Sequence, residues 1–163
     1  MNKLRTTIVF ICTCAILPLS AQKNETKVEL KNGQGQPVGT AALSPAKKGG
    51  VTVALDLKNL PAGRHAIHFH ETATCDGPAF TSAGGHYNPD NKKHGSQNPE
   101  GPHAGDLNNF TVLKDGTAKT TITAPNMKMG VDSALVVHAS ADDLKTDPAG
   151  NSGDRIACGV VSK

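Results

Sequence analysis

Polar and apolar residues alternate with a period of two along much of this chain, the signature of strands buried on one face. Lys27-Val28-Glu29-Leu30-Lys31 alternates until Asn32-Gly33 ends it. Val38 to Leu43 is a second candidate, closed by Ser44-Pro45, and Val51 to Leu57 a third, closed by Asn59 to Gly63. Arg64 to His70 reads as the fourth strand and Leu107 to Leu113 as the next. Lys114-Asp115-Gly116 turns that strand into Ala118 to Thr123 as a hairpin. Ala134 to His138 is a short apolar run ending in histidine, and Arg155 to Ser162 is the last strand. About eight short strands with polar turns predict an all-β antiparallel sandwich or flattened barrel. Residues 71–105 break the pattern. They are rich in Gly, Pro and Asn and too long for an ordinary connection, which marks them as functional.

Composition agrees with a small, loop-rich β protein. The chain has 163 residues, 17 Gly, 10 Pro and no Trp, enough for one domain. Its start reads as a secretory signal over residues 1–21, followed by one domain over 22–163. Lys3 and Arg5 precede an apolar stretch from Ile8 to Leu17, too short to span a bilayer, and Ser20-Ala21 offers a cleavage point. A buried N-terminal helix or an uncleaved anchor is the competing reading, and lipidation at Cys14 is disfavoured by the Ile11-Cys12-Thr13 context. Cleavage would leave no stable membrane insertion and would place the chain in the periplasm or another extracytoplasmic space. Of the four cysteines, Cys75 and Cys158 would then remain, a pair expected to be bonded in an oxidising compartment and otherwise two buried thiols. Charge adds little, with 17 basic against 14 acidic residues. No basic run interleaves with aromatics, so nucleic-acid binding is not expected.

The seven histidines carry the chemistry. His68 and His70 lie two apart on a strand, so both imidazoles share one face and reach one metal. His86, His94, His103 and Asp106 fall in or just after the irregular segment, and three histidines with one carboxylate suit tetrahedral zinc. A His-rich surface loop would look the same. His138 alone reads as a core histidine, yet it is also the imidazole that would complete a four-nitrogen set suited to copper.

Taken together the words become recognisable. His65-Ala66-Ile67-His68-Phe69-His70-Glu71 is followed by Thr81 to Pro89 (TSAGGHYNP), Lys93-His94-Gly95 and His103-Ala104-Gly105-Asp106-Leu107. Leu135-Val136-Val137-His138, Gly150-Asn151-Ser152-Gly153 and Arg155 to Val160 (RIACGV) complete the order. In that order they resemble the Cu/Zn superoxide dismutase family over nearly the whole chain after the signal. The resemblance implies an eight-stranded Greek-key architecture with a long metal-binding loop. It implies a superoxide dismutase converting superoxide to dioxygen and hydrogen peroxide, with one copper and one zinc per subunit. Copper would be held by His68, His70, His86 and His138, and zinc by His86, His94, His103 and Asp106, with His86 as bridge. Asp142 would orient ligands of both metals, Arg155 would attract superoxide, and Cys75 and Cys158 would form the disulfide. His65 is left as a structural residue. The segment from Asp143 to Arg155 is shorter than in the animal enzymes and resembles the bacterial branch. Lys92, Lys93 and Lys145 stay open between substrate steering and ordinary solubility, and Asp154 has no assigned effect. Monomer and homodimer both stay open. Two rivals remain: a metal-buffering module without turnover, and a sandwich whose zinc only braces a loop.

Overall fold

The period-two pattern becomes antiparallel strands in the computed structural model, which describes residues 25–162. The expected signal at residues 1–21 lies outside them. Among the described residues nine strands occur: β1 (Thr26–Asn32), β2 (Pro37–Pro45), β3 (Val51–Leu57), β4 (Gly63–His65), β5 (Ile67–His70), β6 (Phe110–Val112), β7 (Ala118–Ala124), β8 (Ser133–His138) and β9 (Arg155–Val161). Seven form one curled antiparallel sheet in the order β5-β8-β9-β1-β2-β3-β7, and β4 pairs with β6. No helix among the described residues is long and apolar enough to cross a membrane. The only helical element described is one 3-10 turn, Thr81–Ala83.

The ninth strand arises because the run from Arg64 to His70 changes partner at Ala66. His65 pairs with Phe110 on β6, whereas Ile67 pairs with Val137 on β8. The expected strand from Leu107 to Leu113 is correspondingly short, since residues just before Phe110 follow the long loop instead.

In β1, β3, β5 and β8 an apolar face turns inward. Val28 and Leu30 of β1, Val53 and Leu55 of β3, Phe69 of β5 and Leu135 and Val137 of β8 belong to one main core. Burying each such side chain stabilises the fold by about 1.5–3 kcal/mol. β5 and β8 are buried on both faces. Cross-strand pairing sets His68 opposite Val136 and His70 opposite Ala134, so these residues share the face turned away from the main core. The long loop covers that face. Phe80 and Ala83 of the loop pack with Ala134, Val136 and Cys158 in a second, smaller core. The disulfide Cys75–Cys158 ties this loop to β9 with Cα atoms 5.7 Å apart.

Candidate metal centre

Two pieces of the loop lie along the free edge of β5 and bring histidines to it. His70 makes an isolated bridge to His86, and His68 one to Asp106. Backbone hydrogen bonds from Tyr87 N to Phe69 O (2.8 Å) and from Phe69 N to Gly105 O (2.9 Å) hold both pieces. Only glycine fits at position 105, because a Cβ there would overlap the Phe69 carbonyl. At the other edge of β5, β8 ends in His138. A bulge between Val137 and His138 shifts the register so that His138 faces Arg155 at the start of β9.

Two buried groups of four result. His68, His70, His86 and His138 form one; His86, His94, His103 and Asp106 form the other. In each, one candidate ligand atom per residue lies within 4.8 Å of all the others. His86 belongs to both, its Nδ1 lying 2.9 Å from Asp106 Oδ1 and 3.4 Å from His103 Nδ1. His68 also joins His94 and Asp142 in a third group, but that one is a set of hydrogen bonds.

The outward nitrogens decide which way each lone pair points. His68 Nε2–H donates to Asp142 Oδ2 at 2.9 Å, and His70 Nδ1–H donates to Gly84 O at 3.0 Å. His138 Nδ1–H reaches Gly153 O at 3.3 Å. Each acceptor is a carboxylate or carbonyl oxygen, so each of these rings turns an unprotonated nitrogen into the first group. His68 Nδ1 and His86 Nε2 are buried with no hydrogen-bond partner among the described residues. Native proteins rarely leave such nitrogens unpaired. A cation bound by converging lone pairs fits them, so the donor set fits a metal.

Electrostatics separates the groups. Burial pushes His68 down to about 3, His70 to about 2 and His138 to about 4, so these rings are neutral at neutral pH. Burial also acts on His94, but its hydrogen bonds to Asp106 and Asp142 outweigh it and raise that ring to about 9. Burial works against Asp106 and Asp142 as anions too. Hydrogen bonds from His86 and His94 to Asp106, and from His68 and His94 to Asp142, prevail and hold both carboxyls below their usual range. In the metal-free protein the unfolded state therefore binds more protons than the folded state as pH falls below about 6.5. Stability should drop by at least about 2 kcal/mol between pH 7 and pH 5 as His68, His70 and His138 favour the unfolded form. His94 acts in another window, its contribution present below about 6.5 and lost as pH rises through about 9. Urea unfolding of metal-free protein checks this, and a flat profile from pH 7 to pH 5 would contradict it.

Arg155 lies at the mouth of the first group. Its guanidinium donates to Phe80 O at 2.6 Å and Gly84 O at 2.7 Å. It lines a cavity of about 270 Å³ together with His70, His86, His103 and His138. A larger cavity of about 780 Å³ lies beside the disulfide and reaches none of these histidines. Asp142 spans both groups, accepting from His68 and, at 3.0 Å, from His94 Nε2. Gly150 packs so closely on Asp142 and His94 that a Cβ would overlap the carboxylate.

The remaining sequence candidates lie elsewhere. His65 is in neither group; its nitrogens face His138 O at 2.9 Å and Pro61 O at 2.8 Å. Lys93 pairs with Asp147 at 3.1 Å, and Lys92 and Asp154 are exposed. Asn109 and the Gly84 carbonyl are among the contributors that escaped the sequence reading. Asn109 brackets Asp142, accepting from its N–H at 2.7 Å and donating to its carbonyl at 2.8 Å. The Gly84 carbonyl receives both His70 and Arg155. Neither carries a local sequence signal, since an asparagine in a loop and a backbone oxygen announce nothing.

Comparison with known proteins agrees with this geometry. The family described as Copper/zinc superoxide dismutase (SODC) matches residues 38–161. A copper-zinc superoxide dismutase of Aquifex aeolicus (strain VF5) is 43% identical over 152 residues, covering 86% of this chain and 89% of its own. That of Escherichia coli (strain K12) is 37% identical over 164 residues, covering 90% and 93%. Among solved structures, the Cu/Zn superoxide dismutase from Brucella abortus superposes with a TM-score of 0.74 at 33% identity, covering 85% of this chain and all of its own. A double mutant of a SOD-like protein from Bacillus subtilis gives a TM-score of 0.80 at 38% identity, covering 84% and 97%. With the family matched across most of its length and bacterial relatives this similar, the chain belongs to the copper/zinc superoxide dismutase family.

Proposed function

We propose that this protein is a superoxide dismutase working outside the cytoplasm, with copper at His68, His70, His86 and His138 and zinc at His86, His94, His103 and Asp106. The observation that carries this reading is the pair of buried four-residue groups sharing His86, with Arg155 beside the first. Four imidazoles suit copper, and the carboxylate-containing set suits zinc. Bound copper would supply the one-electron redox couple that dismutation requires, and zinc a fixed charge that braces the loop.

The chain's own residues do the rest. His68, His70 and His138 present neutral nitrogens, each oriented by the acceptor at its other end. The guanidinium of Arg155, held by the carbonyls of Phe80 and Gly84, offers a fixed positive charge to a small anion entering the cavity. His86, a member of both groups, would help to hold both metals. It would do so as the imidazolate, which two flanking cations would stabilise.

Superoxide consumption by purified protein reconstituted with both metals, but not with zinc alone, tests the reading and separates it from metal buffering. Arg155→Ala should keep both metals while turnover falls about tenfold at low ionic strength, with a weaker salt dependence. An unchanged rate at low salt would remove Arg155 from the reaction. The bridge has a separate check: protein carrying Cu(II) in both groups should show magnetically coupled spins, and His86→Ala should uncouple them. Two independent Cu(II) signals in wild-type protein would exclude the bridge.

A further inference from the structure

The three non-shared rings of the first group differ in how firmly their outer nitrogens are held. His68 has the Asp142 carboxylate at 2.9 Å, and His70 has the Gly84 carbonyl at 3.0 Å. His138 has only a long contact to a carbonyl, Gly153 O at 3.3 Å. A closer oxygen is present, the hydroxyl of Ser152 at 3.1 Å from His138 Nδ1. Because Gly153 O can only accept, Nδ1 carries the hydrogen, and the hydroxyl oxygen takes its share of it.

Ser152 is 2% exposed. A buried hydroxyl is costly unless it is hydrogen-bonded, so its presence here calls for a partner. Its backbone is tied independently. The Ser152 carbonyl accepts from Ser140 N at 2.9 Å, and the Asp154 carbonyl from Ala139 N at 2.7 Å. These bonds persist whatever side chain stands at position 152, so the hydroxyl can be removed without releasing the backbone that carries it.

We propose that Ser152 is a positioning residue for His138: its buried hydroxyl accepts the Nδ1 hydrogen, holds Nε2 toward His68, His70 and His86, and makes that nitrogen a stronger ligand. The inference rests on reading this group as the copper site. Without the hydroxyl, His138 keeps a single long bond to Gly153 O and becomes the least constrained of the three rings. An acceptor on the far nitrogen of a ligating imidazole both orients the ring and raises its basicity, and loss of such a partner typically weakens binding tenfold or more. Ser152 stands three residues before Arg155, so the same hydrogen bond also fixes the ligand ring to the segment that leads into the guanidinium.

The test compares wild type with Ser152→Ala and Ser152→Cys in full-length protein carrying both metals. Copper affinity is measured by chelator competition, the Cu(II) site by electron paramagnetic resonance, and the second group by cobalt substitution. Ser152→Ala should raise the copper Kd about tenfold and change the Cu(II) hyperfine splitting, while cobalt binding stays within twofold of wild type. Ser152→Cys, with a weaker acceptor of similar shape, should fall between. Wild-type copper affinity and an unaltered spectrum in Ser152→Ala would overturn the proposal. So would equal losses at both groups, which would report a general loosening. If wild-type copper itself shows no imidazole-nitrogen coupling, the copper assignment fails, a result distinct from any effect of the substitution.

Discussion

Replacing Cys75 and Cys158 together with alanine is expected to lower the unfolding free energy by about 4–5 kcal/mol. The bond joins residues 83 apart in sequence, and the chain-entropy account assigns that much to so long a closed loop. Alanine is the better replacement, because Cys158 is buried and a serine hydroxyl there would lack an assured partner. The effect should reach the site as well. Cys75 anchors the loop that carries Phe80 and Gly84, and their carbonyls hold Arg155. In thermal unfolding the double variant should melt more than about 10 °C below the oxidised wild type. A loss under about 1 kcal/mol would mean that the small core of Phe80, Ala83 and Val136 holds the loop without the bond.

Asp142→Ala should weaken both metal groups at once, by about 10–100-fold each. The carboxylate is buried and is the acceptor for His68 Nε2 and His94 Nε2. Removing it leaves two buried N–H donors unpaired, at about 1–3 kcal/mol each. The larger loss should fall on the zinc-type group. His68 stands in β5, paired to β8 on one side, so its ring keeps a firm base. His94 stands in the irregular loop and relies on Asp142 and Asp106 for its orientation. Chelator competition with copper and with zinc measures both effects, and unchanged affinity at both groups would contradict the role given to Asp142.

The arithmetic of strands and ligands was open to a reader of the sequence because it is local. Period-two alternation in β1 and β3 follows from the pleat alone, which sends successive side chains to opposite faces. The same rule set His68 and His70 on one face before any partner strand was known. The pairing of Cys75 with Cys158 and the membership of both four-residue groups followed from motif words that the fold brings together.

What only tertiary structure decided is the set of contacts between distant segments. The break at Ala66 depends on β6 and β8 competing for neighbouring residues of one run. The bulge at Val137/His138, which sets Arg155 opposite His138, is a register choice between two strands and leaves no mark in either one. The Phe80 and Gly84 carbonyls that hold Arg155, the Asn109 clamp on Asp142 and the Ser152 hydroxyl beside His138 are likewise invisible locally. The sequence by itself determined which side chains could bind metal and which strands could carry them. The packing of the long loop and of the segment between β8 and β9 decided which nitrogen of each ring faces inward. That depends on where each acceptor comes to rest: Asp142 lies 74 residues from His68, Gly84 14 from His70 and Gly153 15 from His138.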